Sequence, residues 1–132
     1  MTRLKATFLA LVGVQTAHSA EEYLGRLWEV FPPARFVTGL VAEDRRIGFI
    51  VINIALFVFG VWSFIWPVRR NWPSASVIIC VWIVIELING VGHILWSVEV
   101  NGYTPGVITA PVLLILALLL AWDLTKGAAS VP

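Results

Sequence analysis

Three long apolar runs constrain this chain more than any other feature of its sequence. They cover residues 47–66, 75–98 and 107–124, and a helix of roughly 20 apolar residues is what crosses about 30 Å of hydrocarbon. The chain is 59% hydrophobic and only 13% charged, whereas soluble domains carry about 25% charged residues. A soluble fold of 132 residues has too little interior to bury so much apolar surface. The sequence therefore predicts a protein embedded in a lipid bilayer.

The amino-terminal segment, residues 4–29, is open to two interpretations. Arg3 and Lys5 followed by an apolar stretch are typical of a secretory signal peptide and also of a first spanning helix. Cleavage near residues 17–20 would leave three helices and a new end beside two glutamates, so a retained helix is favoured. We expect one all-α domain over residues 1–132, a four-helix transmembrane bundle with helices at about 4–29, 47–66, 75–98 and 107–124.

Two further features of the sequence bear on the predicted bundle: the connection between its first two helices, and the distribution of charge. Pro32, Pro33 and Gly39 among apolar residues predict a partly interfacial or re-entrant loop. The net charge of +1 gives no reason to expect nucleic acid as a partner. Basic residues are nearly balanced between the two sides, and their small excess favours a multi-pass cell-membrane protein with both termini in the cytoplasm.

Two polar stripes interrupt the apolar helices. His18, Glu21 and Glu22 stand at positions i, i+3 and i+4, so they project from one helix face. In the third apolar run, a second narrow stripe carries Glu86 and, at i+3 and i+7, Asn89 and His93. Counting the rise from the cytoplasmic side puts His18 level with Glu86, so the two stripes are expected to meet inside the bundle.

Ionisable groups in hydrocarbon cost roughly 2.5 kcal/mol or more each, so a buried cluster needs compensation. Two imidazoles with carboxylates are typical ligands of zinc or non-haem iron. We expect His18, Glu21, Glu22 and His93 to hold such an ion. The alternative is that the polar groups only satisfy one another, but six of them on two stripes favour a functional site.

Three further residues complete the predicted site. Glu86 is separated from His93 by about 10 Å of helix rise, which suits proton transfer better than a shared ion. Asn89, and Tyr103 from the loop of residues 101–106, are expected to orient bound groups. That loop opens on the same side and is predicted to cover the site, whereas Thr109 and Pro111 are expected only to shape the last helix.

Three motifs occur in order along the chain: His18-Ser-Ala-Glu21-Glu22, Asn89-Gly-Val-Gly-His93 and Tyr103-Thr-Pro-Gly106. Together with the Phe-Pro pair at 31–32, they resemble the family named for its HXXEE motif, a set of small, mostly bacterial integral membrane proteins. The resemblance covers nearly the whole chain and implies that the site is formed by His18, Glu21, Glu22, Asn89, His93, Tyr103, Pro105 and Gly106. It argues against signal-peptide cleavage and implies no reaction.

The leading functional hypothesis is a membrane-embedded, metal-dependent enzyme that acts on a lipophilic small molecule. Hydrolysis, isomerisation or cyclisation, and oxidation all remain open. A proton- or cation-coupled carrier is the first alternative, although four helices leave little room for a pathway unless the protein forms a homo-oligomer. The second alternative is a non-catalytic accessory subunit of another membrane protein.

Overall fold

The structure is a computed structural model that describes the backbone of residues 1–129 and the side chains of residues 1–126. All regular elements in this part of the chain are helical, which confirms the all-α prediction. The helices are α1 (Arg3–Leu24), α2 (Leu27–Val30), α3 (Pro32–Val41), α4 (Arg45–Ser63), a π-helical turn (Phe64–Val68), α5 (Ala75–Glu99) and α6 (Ala110–Ala129).

The helix predicted over residues 4–29 is interrupted. It ends at Leu24, and Arg26 adopts a left-handed conformation with φ of 54° before the short α2 begins. Gly25 lies at the break, where a Cβ atom would stand 2.5 Å from Cβ of Pro105. The chain therefore turns where a glycine allows the loop before α6 to pack closely.

The connection predicted as an interfacial loop is largely a helix. Pro32 and Pro33 occupy the first turn of α3, where the missing N–H of proline costs nothing. Thr38 faces α4, where a Cβ on Gly48 would lie 2.2 Å from the Thr38 carbonyl oxygen. The opposite face exposes large apolar side chains such as Leu40.

Two of the four predicted spans are supported as membrane-crossing candidates among the described residues. They are Arg45–Val68, with a mean hydropathy of 2.3, and Ala75–Glu99, with a mean hydropathy of 2.1. The first includes the π-helical turn, where Pro67 interrupts the ordinary helical ladder because it has no N–H to donate.

Helices α1 and α5 run in the same direction and share one seam. Phe8 packs edge-on against Trp82 near the start of the seam, with ring centroids 6.1 Å apart, and Glu22 meets His93 further along. Helix α6 packs against both helices. Gly90 makes its approach to α5 possible, since a Cβ there would stand 2.8 Å from Cβ of Leu114.

Candidate metal centre

Three buried side chains meet in the second half of the seam. Nε2 of His18 and Nε2 of His93 lie 3.3 and 3.0 Å from the same oxygen, Oε1 of Glu22. One ligand atom from each residue lies within 4.8 Å of the other two. The two imidazole rings are nearly perpendicular, with centroids 4.8 Å apart. These atoms form a compact pocket of the size that a single cation requires.

The helices place these residues for simple geometric reasons. His18 and Glu22 are one turn apart on α1, so both side chains project toward α5. The predicted alignment of His18 with Glu86 differs from the structure, in which Gln15 lies opposite Glu86 and Glu22 lies opposite His93. The two helices begin at nearly the same level, which moves the matching residue of α1 back by about one turn.

Glu21 faces away from this trio and binds the covering loop, which we define as residues 100–109. Its Oε2 accepts hydrogen bonds from the backbone N–H of Thr109 at 3.0 Å and from the Thr109 hydroxyl at 2.6 Å. Its Oε1 accepts from the backbone N–H of Ile108 at 3.0 Å and from the Tyr103 hydroxyl at 3.2 Å. Four donors converge on one carboxyl group, the arrangement expected of an ionised carboxylate.

The Thr109 hydroxyl determines the tautomer of His18. Its single proton is donated to Glu21, so toward Nδ1 of His18, 2.7 Å away, it acts as an acceptor. His18 must therefore carry its proton on Nδ1, and the lone pair is on Nε2. The result is a Glu21–Thr109–His18 chain of the kind that orients metal-binding histidines.

In this tautomer, one contact at the centre of the cluster joins two hydrogen-bond acceptors. The Nε2 lone pair of His18 faces the Glu22 carboxylate oxygen, and Nε2 has no hydrogen-bond partner among the described residues. Two acceptors facing each other in a buried site repel unless a cation lies between them. The geometry therefore fits a bound metal ion or an additional proton.

The covering loop fits closely over both imidazoles. Gly106 has a φ of +95°, and a Cβ on it would stand 2.7 Å from Cε1 of His93 and 2.8 Å from Cε1 of His18. Glycine is required here both by the backbone conformation and by the lack of space. Phe31 and Trp96 flank His93, each with its ring centroid 6.3 Å from that of the imidazole. The trio is therefore enclosed by backbone and aromatic rings.

Glu86 and Asn89 lie one to two turns away from the trio along α5. Glu86 is fully buried and receives a long hydrogen bond of 3.4 Å from the Asn89 amide. The amide end of Gln15 faces it at 3.0 to 3.1 Å. Glu86 does not belong to the group that could hold a metal.

Tyr103 lies outside the buried part of the site. Its side chain is exposed, and its hydroxyl contacts the Glu21 carboxylate. Desolvation, followed by the negative charge of Glu21, raises the pKa of Tyr103 above its usual value. Tyr103 therefore stays a proton donor that helps to hold Glu21 against the loop.

Of the four predicted ligands, the structure brings together His18, Glu22 and His93, whereas the fourth, Glu21, is bound to the covering loop instead. Sequence reasoning missed the role of Thr109, which was expected only to shape the last helix. No sequence signal identified this role, because the contact between Thr109 and His18 depends on how the covering loop folds back onto α1.

The fold and site together define an all-helical protein with a buried His/Glu cluster closed by a loop. Residues 9–121 match the family described as "Protein of unknown function with HXXEE motif". The chain belongs to this family. No curated protein and no solved structure matches the chain.

Proposed function

We propose that this chain is an integral membrane protein that binds one divalent metal ion, zinc or iron, and acts as an enzyme on a lipophilic small molecule. Membrane insertion is supported by the surfaces of the two apolar helices. Only 22% of the most apolar window in Arg45–Val68 and 33% of that in Ala75–Glu99 are buried inside the protein. Core helices of soluble proteins are mostly covered by their own fold, so a lipid solvent explains these surfaces better.

We extend this proposal to four spans, with α1 and α6 completing the bundle and both termini in the cytoplasm. Helix α6 has no charged residue between Ala110 and Trp122. Helix α1 has no charged residue from Ala6 to Ala17, and it turns Glu22 toward α5 and Glu21 toward the covering loop. Helix α3 would then lie in the interface, with its exposed apolar face toward the acyl chains.

The metal site rests on one observation, the buried lone pair of His18 Nε2 that faces the Glu22 carboxylate. The proposed ligands are His18, Glu22 and His93, a two-histidine, one-carboxylate set that suits zinc and non-haem iron. When bound, such an ion supplies a Lewis acid and lowers the pKa of coordinated water. Three protein ligands leave a position for substrate or water.

The remaining site residues have supporting roles in this proposal. Glu21 and Thr109 hold the His18 ring in its metal-binding tautomer. Glu86 lies outside the ligand group and is proposed to move protons. Asn89 and Tyr103 position Glu86 and Glu21, which are the groups they contact.

A lipophilic substrate is favoured by a cavity beside the site. It measures about 250 Å³ and lies between α1 and α4, with Trp82 of α5 completing the wall. Most of its lining is apolar, and its few polar side chains come from both helices, among them Gln15 and Ser19 of α1 and Asn53 of α4. This is the pattern of a small-molecule site in which apolar contacts supply affinity and a few polar groups fix orientation.

Metal content tests the proposal directly. Protein purified in mild detergent without chelators should contain about one zinc or iron per chain by mass spectrometry. H18A, H93A and E22Q should each lose most of this metal while remaining helical. E99Q, which changes an exposed carboxylate at the end of the same helix as His93, is the matched control and should retain it.

Metal-free wild-type protein that remains folded after supply of zinc and iron would contradict the metal site. The cluster would then hold an extra proton instead, and proton movement across the membrane would become the leading function. Proton flux in liposomes containing the protein distinguishes that case from a non-catalytic subunit.

A further inference from the structure

A polar chain runs from α4 through α1 to the buried Glu86 on α5. Asn53 is fixed first, because its amide nitrogen donates to the backbone carbonyl of Phe49 at 2.9 Å. Its Oδ1 therefore faces Ser19, whose Oγ lies 2.6 Å away. The Ser19 hydroxyl is also 3.2 Å from the terminal amide group of Gln15. The other end of that amide faces the two carboxyl oxygens of Glu86 at 3.1 and 3.0 Å.

The hydrogen-bond donors and acceptors along this chain can be assigned in order, starting from Asn53. Oδ1 of Asn53 is an acceptor, so the single proton of Ser19 is used in the 2.6 Å bond to it. Toward Gln15 the Ser19 oxygen can then only accept, which places the amide nitrogen of Gln15 at Ser19. The amide oxygen of Gln15 must therefore face Glu86.

The opposite orientation of Gln15 satisfies an ionised Glu86 but fails at Ser19. The Gln15 oxygen and Asn53 Oδ1 would then both need the one hydroxyl proton. One of these two part-buried contacts would then join two hydrogen-bond acceptors. A proton on Oε1 of Glu86 resolves the conflict at Ser19, because Oε1 can then donate to the Gln15 oxygen while Oε2 accepts from the Asn89 amide.

We propose that Glu86 is an un-ionised carboxylic acid at neutral pH, whose proton is held by Gln15 at the end of a chain that begins at Asn53. The surroundings agree with this assignment. Glu86 is fully buried, and no salt bridge formed by the described side chains includes it.

An un-ionised Glu86 stores a proton next to the cavity of the proposed active site. Gln15, Ser19 and Asn53 all line the cavity, so Glu86 is separated from the space for a lipophilic ligand by one amide group. The use of that proton rests on the proposed function: Glu86 acts as the general acid and becomes a carboxylate when it gives its proton up. The un-ionised state itself does not depend on the metal.

Infrared spectroscopy of chelator-treated protein tests the inference, since an un-ionised carboxyl group has its own C=O stretching band. Wild-type protein at neutral pH should show this band, and E86Q should lose it. The control E99Q should leave it unchanged, because Glu99 is exposed and lies 13 residues beyond Glu86 on α5. A band that is absent from wild type, or unchanged in E86Q, overturns the proposal.

The variant N53A tests the chain itself, because Asn53 does not contact Glu86. Without Oδ1 of Asn53, the Ser19 proton is free to turn to Gln15, whose nitrogen can then donate to an ionised Glu86. The band should therefore be clearly weaker in N53A than in wild type. An equal band in N53A would overturn the chain as the cause. E86Q should still contain metal at the wild-type level. This measurement separates the outcome of the infrared test from a failure of the metal site.

Discussion

The two halves of the seam between α1 and α5 are built on the same helices but hold together in different ways. In the first half, Phe8, Leu11, Ile79 and Trp82 form a dry apolar core. In the second half, Glu22 and His93 take the corresponding places, about three to four turns further along both helices. The side chains packed against the first half are mostly apolar, whereas the second half is closed by the covering loop.

The difference separates the apolar packing of this molecule from its candidate site. Apolar packing in the first half stabilises the fold without any ligand. The second half buries polar groups whose hydrogen bonds are incomplete, including His18 Nε2 and His93 Nδ1. Such groups oppose folding unless a ligand or a partner satisfies them. The first half therefore supports the second, and substitutions in each half test that division.

W82A removes the largest fully buried side chain of the apolar half. It also removes the hydrogen bond from the indole nitrogen to Ser63. We expect the free energy of unfolding to fall by about 3 to 5 kcal/mol, measured by denaturation in detergent micelles. Metal affinity of the protein that remains folded should stay at the wild-type value. A selective loss of metal with unchanged stability would show that the two halves are not separate.

G106A acts on the covering loop above the imidazoles. An added Cβ would collide with both histidine rings, and alanine is strained at a φ of +95°. We expect a destabilisation of about 1 to 3 kcal/mol together with weaker metal binding. G92A is the control, because its Cβ would meet nothing within 4 Å. Equal metal binding in G106A and wild type would contradict the close fit of the loop.

T109V breaks the link between Glu21 and His18 but keeps the shape of the side chain. The tautomer of His18 is then no longer fixed, and metal affinity should fall by roughly 10- to 100-fold. T109S should restore most of the affinity, since it keeps the hydroxyl. T125V, at a hydroxyl that bonds only within α6, should have no effect. A competition titration with a metal indicator measures all three, and wild-type affinity in T109V would remove Thr109 from the site.

The sequence predicted the all-α class and the meeting of two polar stripes, because helical periodicity alone determines which residues share a face. His18, Glu22 and His93 were found in this way. The separation of Glu86 from the ligand group also followed from helix rise. Metal binding, the four spans and the reaction stay predictions.

The features that the sequence did not reveal depend on contacts between distant segments. The break at Gly25 is explained by Pro105, which lies far along the chain but packs against it. The role of Thr109 depends on how the covering loop folds back onto α1. Helical periodicity cannot distinguish Glu21 from Glu22, because adjacent residues on one face differ only in what lies opposite them.

X-ray absorption of the zinc- or iron-loaded protein is the most direct test of the central claim, since it reports the atoms bound to the metal. We expect the metal ion to be bound by two imidazoles and by carboxylate or water oxygens, without sulfur. One imidazole should disappear in H93A, and the ligand shell should be unchanged in E21Q, whose residue binds the loop rather than the metal. A shell without histidine, or one that loses a ligand in E21Q and not in E22Q, would contradict the proposed centre.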